Sequence, residues 1–208
     1  KDAFIQYDIE TPLVTTVVNK YISSNGMNSM VAWMCNTSYN VEDSLIISEG
    51  AVQRGFFNGS KFKNYKTELD QKEEFANPDI SNTTDIKSAN YSKLNDGILK
   101  VGSIVKDGDA IIGKHIKISK GRADSKYIYS DRSYVYREKE EAHVQSVIVG
   151  RNEDDEKFVK IGLRKPRPVA IGDKFSSSHG QKGIIGLKLR DSEMPCTADG
   201  MRPSLIIN

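Results

Sequence analysis

Apolar residues come in short clusters along this chain, most of them too short for a helix and bounded by turn residues. Residues 27–35, MNSMVAWMC, predict a buried strand, because Val31 and Trp33 favour strands and no helix cap precedes them. The following NTSYN, 36–40, is turn chemistry. Residues 41–48, VEDSLIIS, set two carboxylates against a second apolar run, and Ser48 is suited to N-cap a short helix through Glu49 and Ala51 to Arg54, stopped at Gly55. From Phe56 to about Asp96 the residues are mainly Asn, Lys, Asp, Ser and Thr, and Pro78 breaks any long helix. An irregular, exposed insertion is expected there, with some strand at 61–68. Residues 102–114 read as strand, Asp-Gly turn, strand, which is a β-hairpin. Further strands are expected at 133–136, 142–149 and 157–163, with the acidic NEDDEK of 152–157 as a solvated hairpin tip. The fold class is β-rich mixed α/β.

Composition adds bounds. With 38% hydrophobic and 28% charged residues the 208-residue chain reads as globular and soluble, with one or two domains. No apolar run approaches the roughly 18 residues of a membrane span, so no membrane partner is expected. The start, KDAFIQYDIE, lacks Met and a signal-peptide core, and the end, MRPSLIIN, stops in an apolar run; a piece of a longer protein is expected. Cys35 and Cys196 lie far apart, which argues against a disulfide framework and for an intracellular, reducing compartment. His115, His143 and His179 are scattered, so no zinc site is expected.

The net charge of +2 hides an uneven distribution, because cations accumulate from Arg164 onward. Residues 172–186, GDKFSSSHGQKGIIG, set Lys174 and Lys182 among glycines. Neither GxxxxGK[ST] nor GxGxxG fits them. A lysine is a compact charge suited to phosphate, so the pair reads as phosphate contacts or as solvated loop charges. Ser176, Ser177, Ser178 and His179 invite a nucleophile–base reading, but sequence neighbours seldom have that geometry and no GxSxG elbow exists, so backbone-capping hydroxyls are preferred. Glu42-Asp43 reads as an acid/base pair, a Mg²⁺-binding pair or surface charge; adjacent strand residues face opposite sides, so one shared site needs a backbone bend. From the pair alone, surface charge is favoured. A biotinyl or lipoyl carrier reading of 102–114 is disfavoured, since Lys106 and Lys114 lie at strand ends and not at the tip.

GDKFSSSHGQKG resembles the GDKF-x-S-x-HGQKG segment of the second-largest subunit of multisubunit DNA-dependent RNA polymerases. Residues 25–57, NGMNSMVAWMCNTSYNVEDSLIISEGAVQRGFF, are similar to that family's NGxNxxVAxxxYxGYNxEDSxIxxxxxxxRGxF block, and 193–208, EMPCTADGMRPSLIIN, to its DMPFTxxGxxPDxIIN block, in the family's order. With LKVGSIVKDGDAIIGKHI and KFVKIGLRKPRPVAIGDKF, the resemblance covers nearly the whole chain. Phe175 and Gln181 replace the Met and Asn of bacterial members, pointing to the eukaryotic, archaeal or large-DNA-virus branch.

The resemblance implies a hybrid-binding region containing a double-psi β-barrel, in two parts at 1–56 and 167–208, interrupted by a wall or flap insertion at 57–166. It implies that Lys174 and Lys182 reach the RNA 3′ end and nucleotide phosphates, with His179 and Gln181 beside them on the same nucleic-acid-binding segment. Glu42 and Asp43 match the acidic pair beside the second, nucleotide-borne Mg²⁺, a metal held mainly by the largest subunit. The expected partners are that subunit, the other polymerase subunits, the DNA template, the RNA–DNA hybrid and nucleoside triphosphates. The expected activity is nucleotidyl transfer within the complex, with the fragment inactive alone. The expected location is the nucleus for a cellular eukaryotic protein, and the cytoplasm or virion for a viral or plasmid-borne one. Ser178 in place of the usual Arg, together with Trp33, Cys196, Asp199 and Ser204, marks a divergent member. The alternative, a non-catalytic β-barrel nucleic-acid-binding module, is disfavoured because 161–208 offers only Phe175 for base stacking.

Overall fold

A computed structural model describes residues 2–118 and 128–208. Strands dominate, and the described helical elements are one α-helix, Glu49–Gln53, and two 3₁₀ turns, Val17–Lys20 and Asp191–Glu193. The chain divides into two compact units, one of Phe4–Ser60 with Pro166–Asn208, the other built on Lys61–Lys165.

The discontinuous unit centres on the strand Ser44–Ser48, whose Leu45, Ile46 and Ile47 form an uninterrupted apolar run. Such a run suits a strand covered on both faces. The strand lies in the middle of a five-stranded sheet, ordered Lys174–Ser176, Lys182–Leu189, Ser44–Ser48, Leu205–Ile207, Val31–Trp33. On one face Ile47 joins Val52, Phe56, Val169 and Ile185; on the other Ile46 joins Met194 and Ile206. Lys182–Leu189 runs parallel to Ser44–Ser48, which requires a long connection, and Lys61–Lys165 falls within it. The helix starts as the sequence predicts. Ser48 Oγ accepts from the Ala51 amide at 3.0 Å and donates to Asp191. Asp191 also pairs with Arg54 at 2.8 Å, and these two contacts hold its carboxyl below the usual range.

The run at 27–35 departs from expectation. Only Val31–Trp33 is strand, pairing in parallel with Leu205–Ile207 at the sheet edge, and Trp33 is 71% exposed. An edge strand has one neighbour, so a ring on its uncovered face stays in solvent.

The second unit contains a long hairpin, Ala142–Arg151 with Lys157–Arg167. Its acidic tip is closed by Asn152 Oδ1, which accepts from the amides of Asp154 at 3.0 Å and Glu156 at 2.9 Å. The predicted strands at 142–149 and 157–163 lie inside these elements. The expected hairpin at 102–114 does not form. The Asp107–Gly108 turn is present, with Gly108 at φ +88°, but Ile104–Val105 pairs with Ala142 and His143 while Ala110–Ile112 pairs with Ile98 and with Tyr134–Val135. Val105, Ala110, Ile111 and Ile112 are all fully buried in one core, and burial on every side sends the flanking strands to different sheets.

The polar stretch from Phe56 to Asp96 is also more ordered than its composition predicts, with strands at Gly59–Glu68, Glu73–Phe75, Thr83–Thr84 and Leu94–Asn95. Its polar side chains work as internal ties. Asn77 donates to the Leu94 carbonyl at 3.2 Å and accepts from the Gly97 amide at 2.9 Å, and Glu73 pairs with Lys114 at 2.6 Å with both side chains buried. Buried polar groups are tolerated when partnered.

Candidate phosphate-binding site

The Lys174–Ser176 and Lys182–Leu189 strands are joined by a turn that Ser177 organises. Its amide donates to the Gln181 carbonyl at 3.0 Å and its carbonyl accepts from the Gly180 amide at 3.0 Å. Its hydroxyl accepts from the amides of His179 and Gln181, each at 3.3 Å. Gly180 sits at φ +88°, a conformation that disfavours any side chain. The serine is thus a backbone cap, and among the described residues no serine–histidine side-chain hydrogen bond forms there. His179 and Gln181 lie exposed at the tip.

Register then decides where the lysines point. Lys174 stands opposite Ile184, and Ser176 opposite Lys182. Directly opposed residues share a face, as do i and i+2 on one strand. Lys174 and Lys182 are therefore diagonal neighbours on one face, their backbones about 7–8 Å apart. That face is exposed, while Phe175 and Ile185 on the other pack into the core. Flexible four-carbon stems let both ammonium groups reach one anion. The base of the Lys174 strand is fixed by Asp173, whose carboxylate binds Arg167 at 2.6 Å and the Ala170 amide at 2.9 Å.

The acidic pair arrives beside them through close backbone packing. Gly183 lies against Ser44–Ser48 so tightly that a Cβ would stand 2.6 Å from Leu45 Cγ and 3.1 Å from the Asp43 carbonyl oxygen. The Ile184 amide donates to that same carbonyl at 2.8 Å. Glu42 and Asp43 have φ of 55° and 63°, so the bend their joint use requires is present. Residues without Asn or Asp character seldom adopt such values, and Glu42 does so here beside a charged loop. Asn40, fully buried, holds the preceding turn by donating to the Met34 carbonyl at 2.6 Å and accepting from the Asn36 amide at 3.1 Å. Asn40 and Ser177 are organisers that sequence reading passes over as ordinary turn residues; only their burial or their multiple backbone bonds reveal them.

Lys174, Lys182, Glu42 and Asp43 thus come together at one end of the sheet, all exposed, with no ion pair between them among the described residues. No cluster of three or more His, Cys, Asp or Glu able to hold a metal occurs among the described residues. Two exposed carboxylates at one bend fit the role of a shared contributor to Mg²⁺, which takes one or two carboxylates together with phosphates and water. Alone they do not make a cage.

Comparison with known proteins identifies the family. The family model described as RNA polymerase Rpb2, domain 6, matches residues 2–208. The chain belongs to the RNA polymerase Rpb2 domain 6 family. It is 37% identical to DNA-directed RNA polymerase II subunit 2 of Arabidopsis thaliana, over 99% of this chain and 18% of that protein. It is 37% identical to subunit RPB2 of Encephalitozoon cuniculi, over 96% of this chain and 19% of that protein. Identity to DNA-directed RNA polymerase subunit 2 of Acanthamoeba polyphaga mimivirus is 35%, over 99% of this chain and 18% of the relative. The chain spans about a fifth of the length of these relatives. Within the Rpb2 domain 6 match fall both lysines, the acidic bend and the whole of the Lys61–Lys165 unit.

Proposed function

We propose that this chain is a section of the second-largest subunit of a DNA-directed RNA polymerase and supplies part of its active centre. The observation that carries the reading is the placement of Lys174 and Lys182 as diagonal neighbours on one exposed face, beside the Glu42-Asp43 bend. In this reading Lys174 and Lys182 bind phosphates of the RNA 3′ end and of the incoming nucleoside triphosphate, and His179 and Gln181 line the same path. The lysines neutralise charge that builds on the phosphates during nucleotidyl transfer, and their pre-set positions spare reorganisation at that moment. Mg²⁺, when bound with the nucleotide, supplies charge neutralisation at the phosphates, and Glu42 and Asp43 are the residues of this chain that would help hold it. The largest subunit provides the remaining ligands. The Phe4–Ser60 and Pro166–Asn208 unit corresponds to the hybrid-binding region with its double-psi barrel, and Lys61–Lys165 to the wall or flap. The DNA template and RNA–DNA hybrid are the nucleic-acid partners, in a nuclear, cytoplasmic or virion setting according to the host.

A charge-assisted contact in such a site contributes about 1.5–3 kcal/mol. Lys182→Ala in the assembled polymerase should therefore slow single-nucleotide extension by roughly ten- to a hundredfold, with subunit assembly unchanged. Lys20→Ala, an exposed lysine outside the matched motif, should extend RNA normally. Normal extension by Lys182→Ala, or equal damage from Lys20→Ala, refutes the phosphate role.

A further inference from the structure

The strand that carries Lys174 has little backbone support. Lys174–Ser176 is three residues long, lies at the edge of its five-stranded sheet and pairs only with Lys182–Leu189. Side chains alternate along a strand, so with Lys174 and Ser176 outward the Phe175 ring is its one inward anchor. Gly183 stands directly opposite Phe175 and offers no side chain to support it. The support comes from Phe57. The two rings have centroids 4.6 Å apart with planes at 55°, and Phe57 rests in turn on buried Phe56 at 4.5 Å and 63°. Tilted and edge-on pairs are the arrangements that ring quadrupoles favour.

The Phe57 backbone is fixed in a way that aims this ring. Its φ is +54°, a left-handed value that a bulky residue keeps only where its surroundings over-determine it. The turn around it is closed by the Phe56 amide on the Ala51 carbonyl and the Asn58 amide on the Gly55 carbonyl, both at 3.0 Å. The Phe57 amide itself donates to Met27 Sδ at 3.2 Å, and Met27 packs against the same core as both rings. A thioether is a weak acceptor, so contact and hydrogen bond together hold the amide there. Lys182 is placed differently. Its strand is paired on both sides, with Lys174–Ser176 and with Ser44–Ser48, so its position does not hang on one ring.

We propose that Phe57 is a positioning residue for Lys174, acting through Phe175. The inference rests on the phosphate role of Lys174, and the test separates the two. Single-nucleotide extension is measured in the assembled polymerase at saturating nucleoside triphosphate. Phe57→Leu should slow it roughly three- to tenfold, the size of one lost aromatic pair. Phe57→Tyr, which keeps a ring, should retain most of the rate. Combined with Lys174→Ala, Phe57→Leu should add no further loss; combined with Lys182→Ala, it should add its full loss. Val52→Ala, a truncation in the same core, should lower the thermal midpoint and leave extension unchanged. If Phe57→Leu prevents subunit assembly, Met27→Leu serves in its place, because it keeps the apolar volume and removes the sulfur acceptor. It should slow extension about twofold or more, again only while Lys174 is present. Normal extension by whichever variant assembles, or a loss that persists in full beside Lys174→Ala, overturns the inference. The phosphate role then still stands if Lys174→Ala alone is slow. Normal extension by Lys174→Ala refutes the phosphate role and this inference with it.

Discussion

At Gly183 the missing side chain is what allows the acidic bend to approach the lysine loop. A Cβ there meets Leu45 Cγ at 2.6 Å and Cδ2 at 2.7 Å, and neither the central strand nor its buried leucine has room to retreat. Gly180 offers a contrast, since a Cβ at that position meets nothing within 4 Å and only its φ of +88° opposes substitution. Gly183→Ala is therefore expected to destabilise the chain by about 1–3 kcal/mol through overpacking. Gly180→Ala should cost about 1 kcal/mol through backbone strain. Urea unfolding of the two variants checks the order, and a Gly180→Ala chain less stable than Gly183→Ala would contradict it. Lys188 has a similar lesson. Its ammonium donates to the Val169 carbonyl from a half-buried position, so it braces the loop leading to Asp173.

Between elements, the clearest tie in the Lys61–Lys165 unit is the carboxylate of Glu138. It accepts from Lys63 Nζ, at 2.8 Å, on the strand Gly59–Glu68 and from Lys165 Nζ on the strand Lys157–Arg167; Lys165 also meets Glu140 at 3.3 Å. Hydrogen bonds from Lys165 and then Lys63 bring the Glu138 carboxyl down to about 2, and the Lys63 ammonium is raised by its bond to Glu138. A carboxyl depressed in the folded state adds stability that is present above its unfolded pKa of about 4.3 and is lost as pH falls toward about 2. After discounting for the part of the group that faces water, the contribution is on the order of 1–2 kcal/mol. Glu138→Gln should thus flatten the decline in stability between about pH 4 and pH 2, the window set by the unfolded and folded values. Unfolding midpoints measured across that range for both chains provide the check, and parallel profiles would remove Glu138 from the account of acid unfolding.

On the scale of the molecule, the proposed role of the lysines and the acidic pair makes them one side of a site. Two carboxylates on a bend cannot enclose a divalent cation, and the described residues hold no larger group of metal-ligating side chains. The isolated chain is accordingly expected to incorporate no nucleotide into a primed RNA–DNA template in Mg²⁺, while the reconstituted polymerase containing it does. Radiolabelled extension by the purified chain, freed of contaminating polymerase, would show that the catalytic ligands lie here after all. Apolar side chains left in solvent along the first part of the chain, among them Leu13, Val14, Tyr21 and Trp33, are consistent with a section that other parts of a larger protein cover.

Local chemistry alone determines several features of this protein, because each rests on neighbours in sequence. The Ser48 cap, the 142–167 hairpin with its polar tip and the apolar run of the central strand are all legible from spacing, since period and turn residues act over a few positions. The ordered blocks around Glu42-Asp43 and Lys174–Lys182 are legible only through their resemblance to a family, since spacing alone favours surface charge for the acidic pair and leaves the lysines open. What tertiary structure decided is which distant groups meet. Asp191 reaches Ser48 across 143 positions, and the Ile184 amide finds the Asp43 carbonyl through a parallel strand pairing that sequence periodicity does not encode. The polar middle reads as exposed because composition reports the cost of burying the Glu73 carboxylate or the Thr83 hydroxyl but not the partners that offset it. Trp33 reads as buried for the converse reason: a strand's apolarity is a property of its residues, whereas its place at a sheet edge depends on strands far away along the chain.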